Sequence, residues 1–519
     1  MKLLSKNCNL ESKYYLIDDQ TLSFKDKVLK YLDIDEKPQV LDNLMISGNE
    51  VELFKKRLDE AYKNNEKVLL VSDYDCDGVL SLAIMKRLLD RLKIKANYYI
   101  PSRIKEGYGI NQDIVKMAKN YNFDLIITLD NGVVAKDAIN LALEYDIDVM
   151  VVDHHEYIDR PNVKALIHPK VLSDEFKGLC TGGLSYFISK LYYQDEYLNI
   201  LAMITTLADV CVVLNANRKI LIDGLNYLNQ NPSKYLPIYN LEKKSNYSFE
   251  DISFKIIPKI NAISRMDHLT NINILAKYFI ELENNNFDTA LQINHINDMR
   301  KDLTSKMTNK ANALIENKAI ELIYDDSFHE GLCGLIANQL VNEINRPCIV
   351  LGNNHDILKG SGRAVDGFDI HDYFKDFKDE FNSFGGHKKA IGLSIKKDKL
   401  DDLKEYINNH PLNIEDSLIK LIKIDEDDLT LENIEFLDSL KPYGEGLKEP
   451  LFYIDNVKVV SKFIIKGLYP KYTLDNKAEA IAFNPKLNSD NIRGFIAKLG
   501  FNSFNNKKKI NISIDEIVV

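Results

Sequence analysis

KVLLVSDYDCDGVLSLAIMKRLLDRLK, residues 67–93, decides the fold. KVLLVSD (67–73) reads as a strand buried on both faces, the kind found in parallel sheets. GVLSLAIMKRLLDRLK (78–93) has apolar spacing that predicts an amphipathic helix. Between them Asp73, Asp75 and Asp77 fall within five positions. Carboxylates this close repel one another unless a cation sits among them. Further along, KANYYI (95–100), DLIITLD (124–130) and DVMVVDHH (148–155) read as strands, with a helical segment between the last two. This βαβ rhythm predicts a parallel sheet covered by helices. The strands 67–73, 124–130 and 148–155 each end in an acidic or histidine cluster, and strand C-termini line the functional crevice of open α/β sheets. Clusters far apart in sequence are therefore expected to meet.

At 519 residues the chain is too long for one ordinary core, so two to four domains are expected. With 45% hydrophobic and 28% charged residues it reads as globular rather than disordered. The net charge of −10 argues against a generally basic nucleic-acid binder, but bound metals and local basic clusters can reverse that sign within a site. The six cysteines show no CxxC pair, which suggests neither a zinc ribbon nor a disulfide framework. MKLLSKNCNL turns polar before a signal-peptide core could form, and no apolar stretch is long enough to span a bilayer, so a cytoplasmic protein without membrane partners is expected. NQNPSKYLPIYNLEKKSNYS, over about 230–250, looks like a domain edge or a connector. A long helical region follows at about 271–320, then a second α/β unit to about 400. The segment 401–440 reads as charged helix, and the alternating tail beyond it as a small β domain.

The candidate ligands are Asp75 and Asp77, Asp130 in TLDNGV, Asp153, His154 and His155 in VVDHHE, and Asp209 in TLADVCV. Carboxylate oxygen with imidazole nitrogen and no thiolate suits manganese or magnesium. Two ions about 3.5–4 Å apart share a bridging carboxylate, activate water and clamp a phosphoryl group. One strand-end Asp commonly just caps the next helix. Four such clusters together favour a metal centre.

DYDCDG, TLDNG, DHH and ADV, in that order, resemble the DHH phosphoesterase superfamily. PSRIKEGYG (101–109), INAISRMD (260–267), GLCGLIANQLVNEINRPCIVL (331–351), LKGSGRAVDGFDIHDYF (358–374), FGGHKKAIGLSI (384–395) and LKPYGEGLKEPLF (440–452) extend the resemblance to RecJ nucleases over about residues 35–519. The resemblance implies an α/β fold. A parallel-sheet DHH domain (within 1–235) is joined by a long helical connector (236–320) to a DHH-associated α/β domain (321–400), and an OB-like β domain (401–519) follows. It implies a 5′-to-3′ exonuclease on single-stranded DNA, dependent on two Mn2+ or Mg2+ ions and working in repair and recombination. By the resemblance, Asp75, Asp77, Asp130, His154 and Asp209 hold the metals with Asp130 bridging. Asp73 assists as an outer carboxylate or as a ligand, Asp153 orients His154, and His155 stabilises charge on the scissile phosphate. Arg103, Arg265, Ser361 and Arg363 form a 5′-phosphate pocket, and His387 faces the metals across a cleft. A monomer is expected, with a helicase or single-strand-binding protein as partner.

The chain departs from the family pattern at Ser264, where Gly is usual, at Cys76, where Ala is common, and at Asn338-Gln339, where Ser-Arg is usual. The last removes one expected phosphate contact. Two other readings stand beside the main one: a phosphodiesterase of the same core acting on short oligonucleotides or cyclic dinucleotides, and a replication scaffold without catalysis. Tyr108 reads either as a base-stacking ring or as packing.

Overall fold

The computed structural model describes residues 14–282, 287–354, 356–412, 418–504 and 507–519. The reading of the first ten residues therefore lies outside the described residues. The chain forms two compact units, a larger one of residues 42–211 and 219–416 and a smaller one of residues 1–41, 212–218 and 417–519.

The larger unit begins with a five-stranded, wholly parallel sheet in the order Lys95–Tyr99, Lys67–Ser72, Leu125–Leu129, Asp148–Val152, Ala165–Ile167. Its central strands are buried almost from end to end, as their unbroken apolar runs require. The helix Cys76–Arg91 packs against the helices Thr181–Lys190 and Glu196–Ala208. It is buried without a break from Cys76 to Met85, more completely than the amphipathic stripe expected of it. Two covering helices on its outer side account for the difference.

Residues 231–250 are not a domain edge. Tyr235, Ile238, Leu241 and Tyr247 are buried there, and the Asn229 side chain bonds both backbone groups of Tyr247. The helices Asn273–Ile280 and Phe287–Asn312 then lead to a second five-stranded sheet. Its order is Ser383–His387, Ala390–Lys396, Ile357–Arg363, Cys348–Asn354, Glu321–Asp325, with only the last pair parallel. The helix Cys333–Ile344 packs on it.

The smaller unit is built on an eight-stranded sheet. Tyr14–Ile17 pairs in parallel with Ile419–Ile422, so the N-terminal segment clusters with the C-terminal β domain rather than with the parallel sheet. The segment 401–440 is likewise not all helix. The strand Ile419–Ile424 interrupts it, because Leu421 on one face and Ile422 and Ile424 on the other reach two separate apolar clusters. Phe24 stacks on Phe452 at 5.6 Å in that core. Among the described residues no helix is long and apolar enough to cross a membrane.

Candidate metal centre and phosphate pocket

Register brings the carboxylates together. Ser72 pairs with Leu129 and Leu129 with Val152 across three parallel strands, so Asp73, Asp130 and Asp153 emerge side by side. Each continues the ladder by one residue: Asp73 N–H donates to the Leu129 carbonyl at 3.2 Å, Asp130 N–H to Val152 at 3.0 Å, and Asp153 N–H to Ile167 at 3.1 Å. Asp130 then takes a left-handed backbone, φ 63°, uncommon for a non-glycine residue and often found at functional sites.

Asp75 caps the helix Cys76–Arg91, accepting the N–H groups of Asp77 at 3.0 Å and Gly78 at 3.1 Å. The strand-end capping role is therefore real, and it coexists with a place in the cluster. Asp77 is 2% exposed. It accepts the N–H groups of Thr181 and Gly182, both at 2.8 Å, at the N-terminus of the helix Thr181–Lys190, where the helix dipole favours an anion. The Thr181 hydroxyl donates to Asp130 at 3.1 Å. From INAISRMD, the Asn261 side chain accepts the Cys76 N–H at 3.0 Å and so fixes the aspartate turn.

The two histidines face different ways. His154 Nε2 lies 3.2 Å from Asp130 and 3.9 Å from Asp77, and its Nδ1 lies 3.6 Å from Asp209. His155 Nδ1 meets Asp153 at 2.8 Å. Asp153 therefore orients the His155 ring, not His154 as expected; from His154 it accepts only the backbone N–H, at 2.8 Å. The reason is geometric: the His154 side chain is drawn among three other carboxylates. Burial presses the His155 imidazolium down, but its bond to Asp153 outweighs this and holds the pKa up at about 9. Burial opposes ionisation of Asp153 too, yet His155 and the N–H groups of His155 and Val133 keep that carboxyl below its usual range.

The remaining carboxylates show the opposite strain. Burial, then the neighbouring acids, push Asp73, Asp77 and Asp130 upward, and burial, then Asp77, push Asp209 to about 6. One buried oxygen of Asp73 has no hydrogen-bond partner. Two groups have ligand atoms within 4.8 Å of one another: Asp73, Asp75 and Asp130, and Asp130, His154 and His155. Asp130 belongs to both. The donor set, the orphaned oxygen and the unrelieved like charge all fit a pair of Mn2+ or Mg2+ ions.

A cationic pocket adjoins this cluster. The Arg103 guanidinium lies 5.0 Å from the centre of the Tyr74 ring, which sits between Asp73 and Asp75 in the chain. Burial, then Arg103, Arg300 and Arg363, depress Arg265 to about 9. A Cβ placed on Gly334, in the first turn of the helix Cys333–Ile344, would meet Arg363 Nη2 at 3.0 Å and Ser361 Oγ at 3.2 Å. Three guanidinium groups crowding a half-buried fourth, beside a helix N-terminus, make a strong demand for an anion.

Sequence reading missed three residues that matter here, Asp267, Thr181 and Arg300, and misjudged a fourth, Tyr108. Asp267 accepts the Ser102 hydroxyl at 2.7 Å and the Ile104 N–H at 3.0 Å, tying down the loop that carries Arg103. Thr181 links Asp77 to Asp130. Arg300 lies on a charged helix face that gave no signal. Tyr108 neither stacks freely nor merely packs: its hydroxyl donates to the Asp130 carbonyl at 2.7 Å and reaches His155 at 3.2 Å. Of the departures, Ser264 is buried and bonds the Asn261 carbonyl at 3.3 Å, so the helix accepts it. Gln339, at the usual Arg position, is bonded to Glu343 and Thr308 instead. His387 is exposed at the end of its strand; Glu156, the residue after His155, is held below its usual range chiefly by its bond to Lys170, with His387 the smallest of the contributors.

The DHH family N-terminal domain matches residues 67–213, the DHHA1 domain residues 316–410, and the RecJ OB domain residues 422–516. The chain is 30% identical over 502 residues to the single-stranded-DNA-specific exonuclease RecJ of Bacillus subtilis, an alignment covering 89% of this chain and 62% of that protein. The chain thus matches less than two thirds of that relative's length. It is 26% identical over 515 residues to the RecJ of Haemophilus influenzae, covering 88% of each. A crystal structure of RecJ in complex with Mn2+ from Thermus thermophilus shares the fold, with a TM-score of 0.81 at 19% identity over 98% of this chain and 79% of that one. Those three domains follow one another here as DHH, DHHA1 and OB, and the aspartate–histidine cluster lies inside the first: the chain carries the domain set of the RecJ family of DHH phosphoesterases.

Proposed function

We propose that this chain is a 5′-to-3′ exonuclease that hydrolyses single-stranded DNA to mononucleotides. One observation carries the reading: Arg103, Arg265, Ser361 and Arg363 gather beside the carboxylate cluster, with Arg103 stacked on Tyr74 at 5.0 Å. A terminal 5′-phosphate held there by charge-assisted bonds would set the next phosphodiester against the metal centre. Cleavage would then be counted from the chain end and release one nucleotide at a time.

Asp75, Asp77, Asp130, His154 and Asp209 would hold two divalent cations, with Asp130 shared and Asp73 supporting. When bound, such a pair supplies an activated water at neutral pH and neutralises phosphoryl charge. Asp153 keeps the His155 ring cationic and fixed, so that His155 can donate to a non-bridging phosphate oxygen as charge develops on it. Tyr108 braces the same ring from the other side. His387, Lys388 and Lys389 would add donors to the strand backbone from the DHH-associated domain. On the smaller unit Phe463, 73% exposed, and Phe483, 65% exposed, offer ring faces for unpaired bases, which supports a single-stranded substrate. We further propose that the protein acts as a cytoplasmic monomer in repair and recombination, fed by a helicase or a single-strand-binding protein.

The test is digestion of an end-labelled long single strand with Mn2+, comparing a 5′-phosphate, a blocked 5′ end and a duplex, with dinucleotides in parallel. Mononucleotides from the free 5′ end alone, with the duplex spared, are expected. Preference for the dinucleotide would replace this reading with a short-oligonucleotide phosphodiesterase. No cleavage and no Mn2+ binding would leave a scaffold.

A further inference from the structure

The arginine pocket holds more positive charge than one terminal phosphate can use. Arg103, Arg300 and Arg363 lie near enough to Arg265 to depress it, and none of the four forms an ion pair among the described residues. The bonds they do make go to neutral groups: Arg300 Nη2 donates to the Asn297 side chain at 2.6 Å and Arg363 Nη1 to the Gly362 carbonyl at 2.8 Å. Asp75, which pulls Arg265 the other way, is a ligand in the proposed metal centre. A phosphate monoester carries a charge of about −1.5 to −2 at neutral pH, and four guanidinium groups carry about twice that with the opposite sign.

Helix register shows where the excess lies. The helix Phe287–Asn312 packs against the helix Cys333–Ile344. Thr308 Oγ1 donates to Gln339 at 3.2 Å and Asn312 Nδ2 to Glu343 at 3.2 Å, both across 31 residues of chain. Equal offsets mean that the two helices run parallel. Carried back about two turns along both, the same offset brings Arg300 level with Gly331, just ahead of the second helix. Gly331 packs so closely on Arg265 that a Cβ there would lie 2.4 Å from the Arg265 carbonyl, and Gly334 lies against Ser361 and Arg363. Arg300 therefore stands where the arginine pocket meets the groove between these two helices.

That groove has a volume of about 340 Å³, and Arg300, Thr304, Ser305, Thr308, Gln339 and Glu343 line it. Its charge is graded along its length. At one end Arg300 Nε is buried without a hydrogen-bond partner, while the neighbouring Lys301 is already paired with Asp298 at 3.2 Å. At the other end Glu343 is negative and is held by Gln339 at 2.9 Å as well as by Asn312. An anion entering from the arginine pocket is thus drawn to Arg300 and repelled before it reaches Glu343. Hydroxyl groups between the two ends offer neutral donors.

We propose that this groove takes the β- and γ-phosphates of a 5′-triphosphate end, so that strands begun without a primer are substrates beside 5′-monophosphate strands. The inference rests on the assignment of Arg103, Arg265, Ser361 and Arg363 to the terminal phosphate. The α-phosphate keeps that place, and the two outer phosphates extend past Arg265 to Arg300. The cleavage itself is unchanged. Water adds across the first internucleotide P–O3′ bond, its hydroxyl staying on phosphorus and its proton going to the departing 3′ oxygen. The first product is then a nucleoside triphosphate with a free 3′-hydroxyl. The shortened strand keeps an ordinary 5′-phosphate, and every later product is a monophosphate.

The experiment measures binding of one single-stranded DNA sequence, carrying a 5′-hydroxyl, a 5′-monophosphate or a 5′-triphosphate, to the full chain in excess Mg2+. Asp130→Asn is present throughout to slow cleavage, and the first product of the natural chain is identified separately by ion-exchange chromatography. The triphosphate strand is expected to bind about 10-fold tighter than the monophosphate strand, as for one added charge-assisted bond, and to release a nucleoside triphosphate first. Arg300→Gln should abolish that advantage and Arg300→Lys should keep part of it, whereas Arg103→Gln should remove the advantage of the monophosphate over the hydroxyl. A triphosphate strand that binds no tighter than the monophosphate would overturn the proposal and leave the terminal-phosphate reading standing. Equal binding of the hydroxyl and monophosphate strands would remove that reading, and the proposal with it. Loss of both advantages in Arg300→Gln and in Arg300→Lys alike would assign Arg300 to the shared pocket and overturn its place in the groove.

Discussion

Asp73 and Asp130 leave neighbouring parallel strands at the same level, joined by the bond from Asp73 N–H to the carbonyl of Leu129, the residue before Asp130, at 3.2 Å. Strand register, not a flexible loop, thus places the two acids. Asp130→Asn keeps the shape and removes the shared charge. Turnover is expected to fall by about three orders of magnitude or more, because Asp130, in the proposed site, would serve both ions. The sign for stability is opposite. In wild type without metal, burial and then Asp77, Asp75 and Asp73 push Asp130 upward, so its ionised form at neutral pH opposes folding. In EDTA the variant should therefore melt higher than wild type, and Mn2+ should raise its melting temperature less. A variant that melts lower in EDTA, or cleaves normally, would remove Asp130 from the centre of the site.

The arginine pocket should be separable from the chemistry. Arg103 is held by its stacking on Tyr74 and by its anchored loop rather than by an ion pair among the described residues. Arg103→Gln is expected to lower the preference for a 5′-phosphate over a 5′-hydroxyl strand by about 10- to 100-fold, as for one charge-assisted bond of about 1.5–3 kcal/mol. Mn2+ affinity should stay unchanged. The measurement is kcat/KM on both strands, and an unaltered ratio would mean that the four residues serve only the fold.

How much of this is legible in the sequence depends on how far apart the partners lie. VSDYDCDG, TLDNG and VVDHH can be read because a parallel sheet sends every strand end to one edge, so local pattern suffices to predict convergence. The direction of a single ring cannot be read this way: adjacency pairs Asp153 with His154, while the structure turns it to His155. Tyr14–Ile17 falls to the wrong unit on sequence alone because its partner strand begins at Ile419, and nothing local in YYLI chooses between two sheets. Arg300 is invisible for a related reason. Within HINDMRKDL it looks like any solvated helix charge, and only the packing of its helix beside Arg265 gives it a role.

Asp267 offers a test of positioning without contact to the substrate. Its carboxylate holds both the Ser102 hydroxyl and the Ile104 N–H, on either side of Arg103. Asp267→Ala should free that loop and reproduce the Arg103→Gln loss of 5′-phosphate preference. Its KM should rise by about 10-fold, while kcat at saturation and Mn2+ binding stay near wild type. Asp267→Asn, which can still accept one of the two bonds, should recover part of the loss. A fall in kcat alone would contradict a positioning role.

The last prediction concerns acid stability where the long helix meets the second sheet. Asp325, ending the strand Glu321–Asp325, accepts Lys310 Nζ from the helix Phe287–Asn312 at 2.8 Å and the Ser327 N–H at 2.8 Å. Burial alone would raise its pKa, but the bonds from Lys310 and Ser327 overcome this and bring it down to about 2. A carboxyl whose folded pKa lies below its unfolded value of about 3.9 stabilises the fold above that unfolded value. The contribution is lost as pH falls from about 4 through about 2. Asp325→Asn should therefore lower the melting temperature at pH 7, and the gap from wild type should close progressively across that acid window. Lys310→Met should behave the same way, since it removes the charge that holds Asp325 down. A gap that persists undiminished at pH 2 would assign the loss to packing rather than to the ion pair.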